Sequence, residues 1–361
     1  MAEPVPVSLL TGFLGSGKTT LLNRLLKEPA LADTAVVINE FGEVAIDHLL
    51  VERASEGVIE LSDGCVCCTV RGELVDTLLD LAQRIPALKR VIIETTGLAD
   101  PAPVLQSLMA HPGLLDLFRL DGVIATVDAV NGSATLDRHE EAVRQVAMAD
   151  RIVLTKSDLP EAADVIAPLR DRLKHLNPGA PVLESRAGWP AASELLNCGL
   201  YDPARKMPDV ERWLHAEAAH DHHNHAHQDH DHKNHHHDGR IKTLSLVHDR
   251  PIPFSAIEAF LDVLRSANGE HLLRMKGIVE LAEDPERPLV LHGVQKVLHP
   301  PARLPAWPEG TRGTRLVLII MDMDEDYVRR LFAAMTGTPA ADTPDRAAIE
   351  DNPLAIAGAK L

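Results

Sequence analysis

The chain has 361 residues, is 45% hydrophobic and carries a formal net charge of −17 with four cysteines. This length allows roughly two globular domains with buried cores, and the charge argues against DNA or RNA as a partner, because nucleic-acid binders carry a basic footprint. No apolar run reaches the roughly 20 residues that cross a bilayer, and the first run lacks signal-peptide features. We therefore expect a cytoplasmic protein without membrane contact.

Short apolar runs rich in Val and Ile alternate with segments of helical spacing over residues 5–185, which predicts a parallel sheet with helices on both faces. We place this α/β domain at residues 1–200. The predicted strands are VSLL (7–10), AVVIN (35–39), RVIIE (90–94), GVIATVD (122–128), RIVLTK (151–156) and PVLES (181–185).

The loop GFLGSGKT at residues 12–19 lies between the first predicted strand and the first predicted helix, and it matches the P-loop pattern G-x-x-x-x-G-K-[ST]. Its glycines let backbone N–H groups curl around phosphate, and the helix N-terminus adds its dipole. Lys18 is predicted to reach the β- and γ-phosphate oxygens, and the hydroxyl of Thr19 to bind Mg²⁺. The predicted nucleotide contacts here are Gly12, Gly15, Ser16, Gly17, Lys18, Thr19 and Thr20.

A second segment, at the end of the third predicted strand, is predicted to act in hydrolysis. ETTG at residues 94–97 ends a strand expected beside the P-loop. Glu94 is predicted to organise Mg²⁺ or position water, and the N–H of Gly97 to sense the γ-phosphate; with Lys18 these form the predicted catalytic set. An ion-paired or capping role for Glu94 is the alternative. Asp128 is similarly placed but is left out of the predicted site.

TKSD at residues 155–158 resembles the guanine-reading pattern N-K-x-D. Asp158 would accept hydrogen bonds from the guanine ring, whereas adenine offers no matching donor pair, and the stem of Lys156 would pack on the base. Thr155 replaces the usual Asn, which removes a side-chain amide. A helix cap before Leu-Pro is the alternative. SRAG at 185–188 is predicted to line the other face of the base.

Three cysteines, Cys65, Cys67 and Cys68, form a C-x-C-C motif. They are too close together to pair with one another, which fits a reducing compartment and metal binding. Three thiolates occupy three corners of a tetrahedral Zn²⁺ site, and Cu(I) or Co²⁺ accept similar ligands. Buried cysteines acting as small hydrophobes are the alternative.

Further metal donors must come from elsewhere in the chain. Glu40 and Glu43 in NEFGE (39–43) and His111, on the connection after ETTG, are the candidates, and we assign Glu43 and His111. NEFGE and C-x-C-C lie where P-loop switches place the segments that rearrange with nucleotide state. If these segments hold the metal, nucleotide and metal affinities are linked.

The second half begins with a composition shift. Residues 201–239 are predicted to be a linker, because 215–238 hold 11 of the 19 histidines, interleaved with Asp. This run would bind Zn²⁺, Ni²⁺ or Co²⁺ weakly, as a store or antenna; a polar spacer is the alternative. A smaller α+β domain is predicted at 240–335, with LVLHGVQKVL as one of its strands, and a disordered tail at 336–361.

The motifs GFLGSGKTT, NEFGE, GCVCC, ETTG, VDA and TKSD, in this order, resemble the CobW family of P-loop GTPases. LLRMKGIVEL and LHGVQKVL resemble its C-terminal domain. The resemblance implies a GTPase metallochaperone that uses GTP/GDP, Mg²⁺ and Zn²⁺, and whose nucleotide state gates zinc transfer to a client metalloprotein. We expect the C-terminal domain to contact that client, and a nucleotide- or metal-dependent dimer stays open.

Three other functions stay open at this point. Cobalt delivery for cobalamin biosynthesis is compatible with the same ligands, because Co²⁺ and Zn²⁺ accept similar donors. If the protein were a metal buffer, the histidine run would carry its function. A small-molecule kinase would also use the P-loop but gives no role to C-x-C-C.

Overall fold

The computed structural model describes residues 3–39, 58–60, 69–198, 240–308 and 312–337. The strands of the first sheet are β1 (Val5–Gly12), β2 (Thr34–Asn39), β3 (Val58–Glu60), β4 (Arg90–Thr95), β5 (Phe118–Asp128), β6 (Arg151–Thr155) and β7 (Val182–Glu184). Their helices are α1 (Lys18–Leu25), α2 (Thr69–Arg84), α3 (Ala102–Ala110), α4 (Pro112–Leu115), α5 (Gly132–Arg138), α6 (Glu140–Ala147), α7 (Ile166–Leu176) and α8 (Ala192–Leu195).

The strands pair in the order β3-β2-β4-β1-β5-β6-β7, and every pairing is parallel. The predicted α/β class is confirmed. All six predicted strands are present, whereas β3 was missed because three residues are too few to show a periodicity. The interior strand β4 is buried along its whole length, as expected where helices cover both faces.

Neighbouring residues of β1 point to opposite faces of this sheet. Leu9 packs into a cluster with α2, α3, α6 and α7, and Leu10 packs into another with α1 and α8. This alternation follows from the two-residue period of a strand. Helices therefore cover both faces, as predicted.

The carboxyl ends of the four central strands meet at one edge. Leu10 of β1 pairs with Glu94 of β4, Gly12 with Thr126 of β5, and Asp128 of β5 with Thr155. The P-loop, ETTG and TKSD, which follow β1, β4 and β6, are therefore neighbours in space. Ligand sites in parallel α/β sheets lie at this edge.

The second sheet is antiparallel and consists of β8 (Ile241–His248), β9 (Leu272–Leu281), β10 (Asp284–Val294), β11 (Val297–Leu298), β12 (Ala302–Arg303) and β13 (Thr314–Met321), with helices α9 (Phe254–Asn268) and α10 (Glu325–Thr336). The prediction of one strand over LVLHGVQKVL was wrong. Gln295 has φ 53°, and this left-handed residue turns the chain so that β11 pairs back on β10.

Both faces of the second sheet are covered. Leu318 packs with Phe260 of α9 and Phe332 of α10, whereas its neighbour Ile319 joins the apolar cluster of the first sheet, together with Leu273. The two sheets are thereby connected through a continuous apolar core.

None of the helices in the described ranges is long and apolar enough to span a bilayer. The boundary predicted at residue 200 falls in residues 199–239, which lie outside the described part, and residue 240 is the first described residue after them. The tail from residue 338 also lies outside the described part.

Candidate nucleotide and metal site

The P-loop turns sharply between β1 and α1. Gly12 has φ 143° and Gly17 has φ 90°, which favour glycine because a side chain is strained in this region. Space also restricts Gly12, since a Cβ there would lie 2.7 Å from Ser16 Oγ. Ser16 Oγ in turn hydrogen-bonds Thr126 Oγ1 at 2.7 Å. The loop is therefore fixed to β5 and leads directly into the helix N-terminus.

Lys18, the first residue of α1, folds back across this loop. Its Nζ donates hydrogen bonds to the carbonyl oxygens of Gly12 at 2.9 Å and Phe13 at 3.4 Å. A phosphate held by the loop would offer this ammonium group anionic acceptors, which make stronger hydrogen bonds than neutral carbonyls. Thr20, also predicted to contact nucleotide, is exposed on the first turn of α1.

Thr19 and Glu94 meet at the strand edge. Thr19 Oγ1 donates to Glu94 Oε1 at 2.9 Å, and Glu94 is only 5% exposed. A hydroxyl and a carboxylate are hard oxygen donors of the kind that Mg²⁺ prefers beside phosphate. The pair therefore fits a Mg²⁺ site next to the P-loop, and the sequence could not show that the two side chains touch.

Gly97 packs directly against the P-loop. A Cβ on Gly97 would lie 2.6 Å from the backbone nitrogen of Leu14, so only glycine allows this approach. Its carbonyl oxygen accepts from Gln145 Nε2 at 3.2 Å, and the same nitrogen donates to the carbonyl of Ala99 at 3.0 Å. The segment after β4 thus lies between the P-loop and α6.

The side chain of Thr155 points towards the P-loop. Its hydroxyl is buried and donates to the carbonyl oxygen of Ser16 at 2.6 Å, and its side chain lies 3.3 Å from where a Cβ of Gly17 would be. Thr155 lacks the side-chain amide of the usual Asn, but its hydroxyl still makes a hydrogen bond to the P-loop. Thr155 anchors the P-loop to β6.

Lys156 and Asp128 form an ion pair next to Thr155. Lys156 has φ 54°, and its Nζ donates to Asp128 Oδ2 at 2.7 Å. Asp128 Oδ1 also accepts from the backbone N–H groups of Val130 and Asn131, at 2.8 and 3.1 Å. Burial raises the pKa of this carboxyl, but the hydrogen bonds from Lys156, Asn131 and Val130 outweigh it, and the pKa lies below its ordinary value.

Asp128 therefore belongs to the candidate site by its position, although the sequence analysis left it out. Its signal was its place at the end of a strand beside TKSD, since Asp128 pairs with Thr155 in the β5–β6 register. It positions Lys156, whose aliphatic stem is predicted to pack on the base.

The loops TKSD and SRAG are joined by a hydroxyl pair. Ser157 Oγ lies 3.0 Å from Ser185 Oγ and accepts from the backbone N–H of Arg186 at 2.8 Å. Ser157 is buried and the neighbouring Asp158 is exposed. The carboxylate of Asp158 is thus accessible to a ligand while the loop that carries it is held in place.

Comparison with known proteins decides the family. A profile described as CobW/HypB/UreG, nucleotide-binding domain, matches residues 6–184, and one described as cobalamin synthesis protein cobW C-terminal domain matches residues 241–336. The chain is 33% identical over 337 residues to the zinc chaperone YjiA of Escherichia coli (strain K12), covering 92% of this chain and 99% of that protein. The chain belongs to the CobW family.

Two further CobW-family comparisons extend over nearly the whole chain. The zinc chaperone CobW of Sinorhizobium sp is 31% identical, over 92% of this chain and 97% of the relative. The crystal structure of Zn(II)-bound YjiA GTPase from E. coli matches with a TM-score of 0.67 and 30% identity, over 92% of this chain and 99% of that one. The family prediction and the two-part fold are confirmed.

The predicted metal ligands of this CobW-family chain are mostly outside the described residues. Cys65, Cys67, Cys68 and Glu43 fall in residues 40–57 and 61–68, and the histidine run falls in 199–239. Within the described part, no group of three or more His, Cys, Asp or Glu side chains is placed to hold a metal ion. Cys198 is buried, and burial, with Asp150 nearby, raises the pKa of its thiol.

His111 is not beside the P-loop. It lies at the C-terminal end of α3, shortly before β5 begins at Phe118, and Phe118 pairs with Val5 at the start of β1. Helix α3 therefore carries His111 towards the opposite edge of the sheet, which corrects its expected position near the nucleotide face. Its assignment as a zinc ligand is not carried into the function proposed below.

A cavity of about 290 Å³ flanks the P-loop on the side of α5 and α6. Phe13, Ser16, Asp128 and Lys156 are among its lining residues, but Lys18, Thr19 and Asp158 are not. The cavity therefore continues from the Asp128–Lys156 pair behind the P-loop rather than over the phosphate-binding face.

Proposed function

We propose that this CobW-family protein is a GTP-hydrolysing zinc metallochaperone, in which nucleotide state controls zinc binding and release to a client metalloprotein. The nucleotide half of the proposal rests on the P-loop, the Thr19–Glu94 pair and TKSD. The zinc half rests on C-x-C-C and on relatives that are named zinc chaperones.

In the proposed GTPase site, the residues at the strand edge have separate roles. Lys18 binds the β- and γ-phosphate oxygens and stabilises the charge that develops on them. Thr19 and Glu94 would hold Mg²⁺, which supplies further charge neutralisation when bound. The backbone N–H of Gly97 is proposed to respond to the γ-phosphate, and Asp158 to select guanine.

One observation carries the coupling between nucleotide and zinc. Strand β2 ends at Asn39, the first residue of NEFGE, and β3 ends at Glu60, shortly before C-x-C-C. Both strands are parallel to β1 and belong to the same sheet, so they end at the edge that bears the P-loop. This order supports the proposal that the two metal motifs lie on the same side of the sheet as the triphosphate site, as the segments that rearrange in P-loop switches do.

Zinc is favoured over cobalt as the cargo, because both relatives compared in full length are named zinc chaperones. Three thiolates and one oxygen or nitrogen donor would form a tetrahedral site for it. A donor weaker than a fourth thiolate suits a carrier that must release its ion. We propose that the C-terminal domain contacts the client.

The decisive experiment measures Zn²⁺ affinity by competition with a calibrated chelator, in GDP and in a non-hydrolysable GTP analogue. It is run on the full chain and on a variant lacking residues 215–238. We expect a difference of tenfold or more between nucleotide states, about 1.4 kcal/mol of coupling, and its loss in Cys67→Ala.

The buried Cys198→Ala variant is the matched control and should retain the difference, because Cys198 lies outside the proposed site. Equal affinities in both nucleotide states would rule out nucleotide-gated transfer. If deletion of residues 215–238 also removes most of the zinc capacity, the histidine run acts as a buffer instead. Tighter gated binding of Co²⁺ than of Zn²⁺ would favour cobalt delivery.

A further inference from the structure

A buried carboxylate joins the two sheets at the edge opposite to the P-loop. Asp150 lies just before β6, is 1% exposed, and accepts from the backbone N–H of Val123 at 2.8 Å. Nη2 of Arg274, from β9, donates to both of its carboxylate oxygens, at 2.8 and 2.7 Å. Nζ of Lys276, also from β9, donates to the same carboxylate.

The charges of this cluster do not balance. Arg274 and Lys276 are two cations, and within the described ranges both bond one carboxylate, that of Asp150. Burial, with Arg274 and Lys276 nearby, holds the pKa of neighbouring His292 well below its usual range, so this imidazole is neutral. The Cys198 thiol is neutral for the reason given above. Among the described residues, two basic side chains thus face one carboxylate. Arg274 is buried and always charged, whereas the side chain of Lys276 is 28% exposed and partial burial lowers its pKa.

Two donors of Arg274 also find no acceptor in the described part of the chain. Its side chain is only 4% exposed, yet Nε and Nη1 have no hydrogen-bond partner among the described residues. The hydroxyl of Thr243, on β8, is likewise buried without a partner in that part of the chain. Buried donors of this kind are nearly always satisfied, if not by protein then by water or an ion.

A small cavity connects these groups. It has a volume of about 30 Å³ and is lined by Arg274, Lys276 and Thr243 from the second sheet and by Asn177 and Gly179 from the loop before β7. This is more than the roughly 10–15 Å³ that one water molecule needs. The cavity is therefore large enough for a small ion.

We propose that this cavity binds a small inorganic anion of the size of chloride, between Arg274, Lys276 and Thr243. Water could accept a hydrogen bond from Arg274, whereas an anion would accept that bond and also balance the positive charge of Arg274 and Lys276 that the single carboxylate of Asp150 leaves. Nε–H and Nη1–H point to different sides of the planar guanidinium, so the anion would accept from one of them, together with the Thr243 hydroxyl and the Lys276 ammonium group. The bound anion would link β8 and β9 to the loop before β7 and so strengthen the junction between the two parts of the protein.

The first test is a crystal structure of the full chain grown with sodium bromide, because bromide replaces chloride and gives an anomalous signal. We expect an anomalous peak within hydrogen-bond distance of Arg274 Nε or Nη1. A water molecule there, or a carboxylate from another segment of this chain, with no anomalous peak, would overturn the proposal.

The second test measures the thermal unfolding midpoint with GDP at saturation, as chloride replaces gluconate at constant ionic strength. Stability should rise to a plateau with chloride. The chloride concentration that gives half of the maximal rise in the unfolding midpoint should increase at least threefold in Thr243→Val, which loses the hydroxyl. It should change less than twofold in Thr243→Ser, which keeps the hydroxyl. A bromide peak without a saturable effect on the wild type would mean an adventitious ion only. If Thr243→Val does not fold, the wild-type measurements decide.

Discussion

The hydroxyl of Thr155 lies 2.6 Å from the carbonyl oxygen of Ser16 and donates a hydrogen bond to it. The motif proposed to read the base therefore holds the loop proposed to bind the phosphates. Further hydroxyl contacts extend this link across the strand ends, from Ser16 to Thr126 at 2.7 Å and from Thr95 to Thr11 at 2.9 Å. The P-loop and the strand ends beside it are thus held together by side-chain hydroxyl contacts.

Replacing Thr155 by Val should weaken nucleotide binding without changing base selection. The carbonyl of Ser16 would lose its buried donor, at a cost of about 1–2 kcal/mol or roughly 5- to 30-fold in affinity. Thr155→Asn, which restores a donor, should bind within about threefold of the wild type by the same reasoning. Dissociation constants for GDP and ADP measure both effects. A loss confined to GDP would mean that Thr155 acts on the base.

Replacing Asp128 by Asn should destabilise the protein at neutral pH. The pKa of Asp128 is lower in the folded protein than in the unfolded chain, so its contribution is fully present above the unfolded pKa and is lost as the pH falls through the folded pKa. Urea unfolding should show a loss of about 1 kcal/mol at pH 7, and the difference from wild type should shrink as the pH is lowered below about 4.

Asp158→Asn is the matched control for this carboxylate. Because Asp158 is exposed, the change should leave stability at pH 7 unaltered while it reduces the preference for GDP over ADP. A pH-independent deficit in Asp128→Asn would show that the ion pair with Lys156 is not the cause.

Much of the site could be predicted because it follows strand ends. Parallel pairing of adjacent strands brings the P-loop, Glu94 and TKSD to one edge, and apolar runs reveal those strands. The sequence could not show that Thr155 turns towards the P-loop or that Asp128 holds Lys156, since both depend on side-chain direction across the β5–β6 pair. The position of His111 was predicted wrongly because helix α3 runs back along the sheet and carries His111 at its far end. The residue types in this segment do not show how long the helix is.

Replacing Asp150 by Asn should cost more stability than any surface charge. The change leaves the buried Arg274 without the carboxylate of Asp150, and breaking such a buried pair costs about 3–5 kcal/mol. Asp322→Asn is the control, because Asp322 pairs with Arg240 at an exposed position and such pairs contribute below about 1 kcal/mol. Urea unfolding at pH 7 compares the two variants. Equal losses would show that the junction does not depend on the buried cluster.

Replacing Gly97 by Ala should slow GTP hydrolysis more than it weakens GDP binding. The new Cβ would lie 2.6 Å from the backbone nitrogen of Leu14, so the segment after β4 must move away from the P-loop. A displacement approaching 1 Å near a reacting group costs up to about 100-fold in rate, and we expect a decrease in kcat of about 10- to 100-fold, with the Kd for GDP changed less than about threefold. Gly72→Ala is the control, since a Cβ there meets no atom of the described residues within 4 Å. Unchanged kcat with weaker GDP binding would place Gly97 in nucleotide binding rather than in the response to the γ-phosphate.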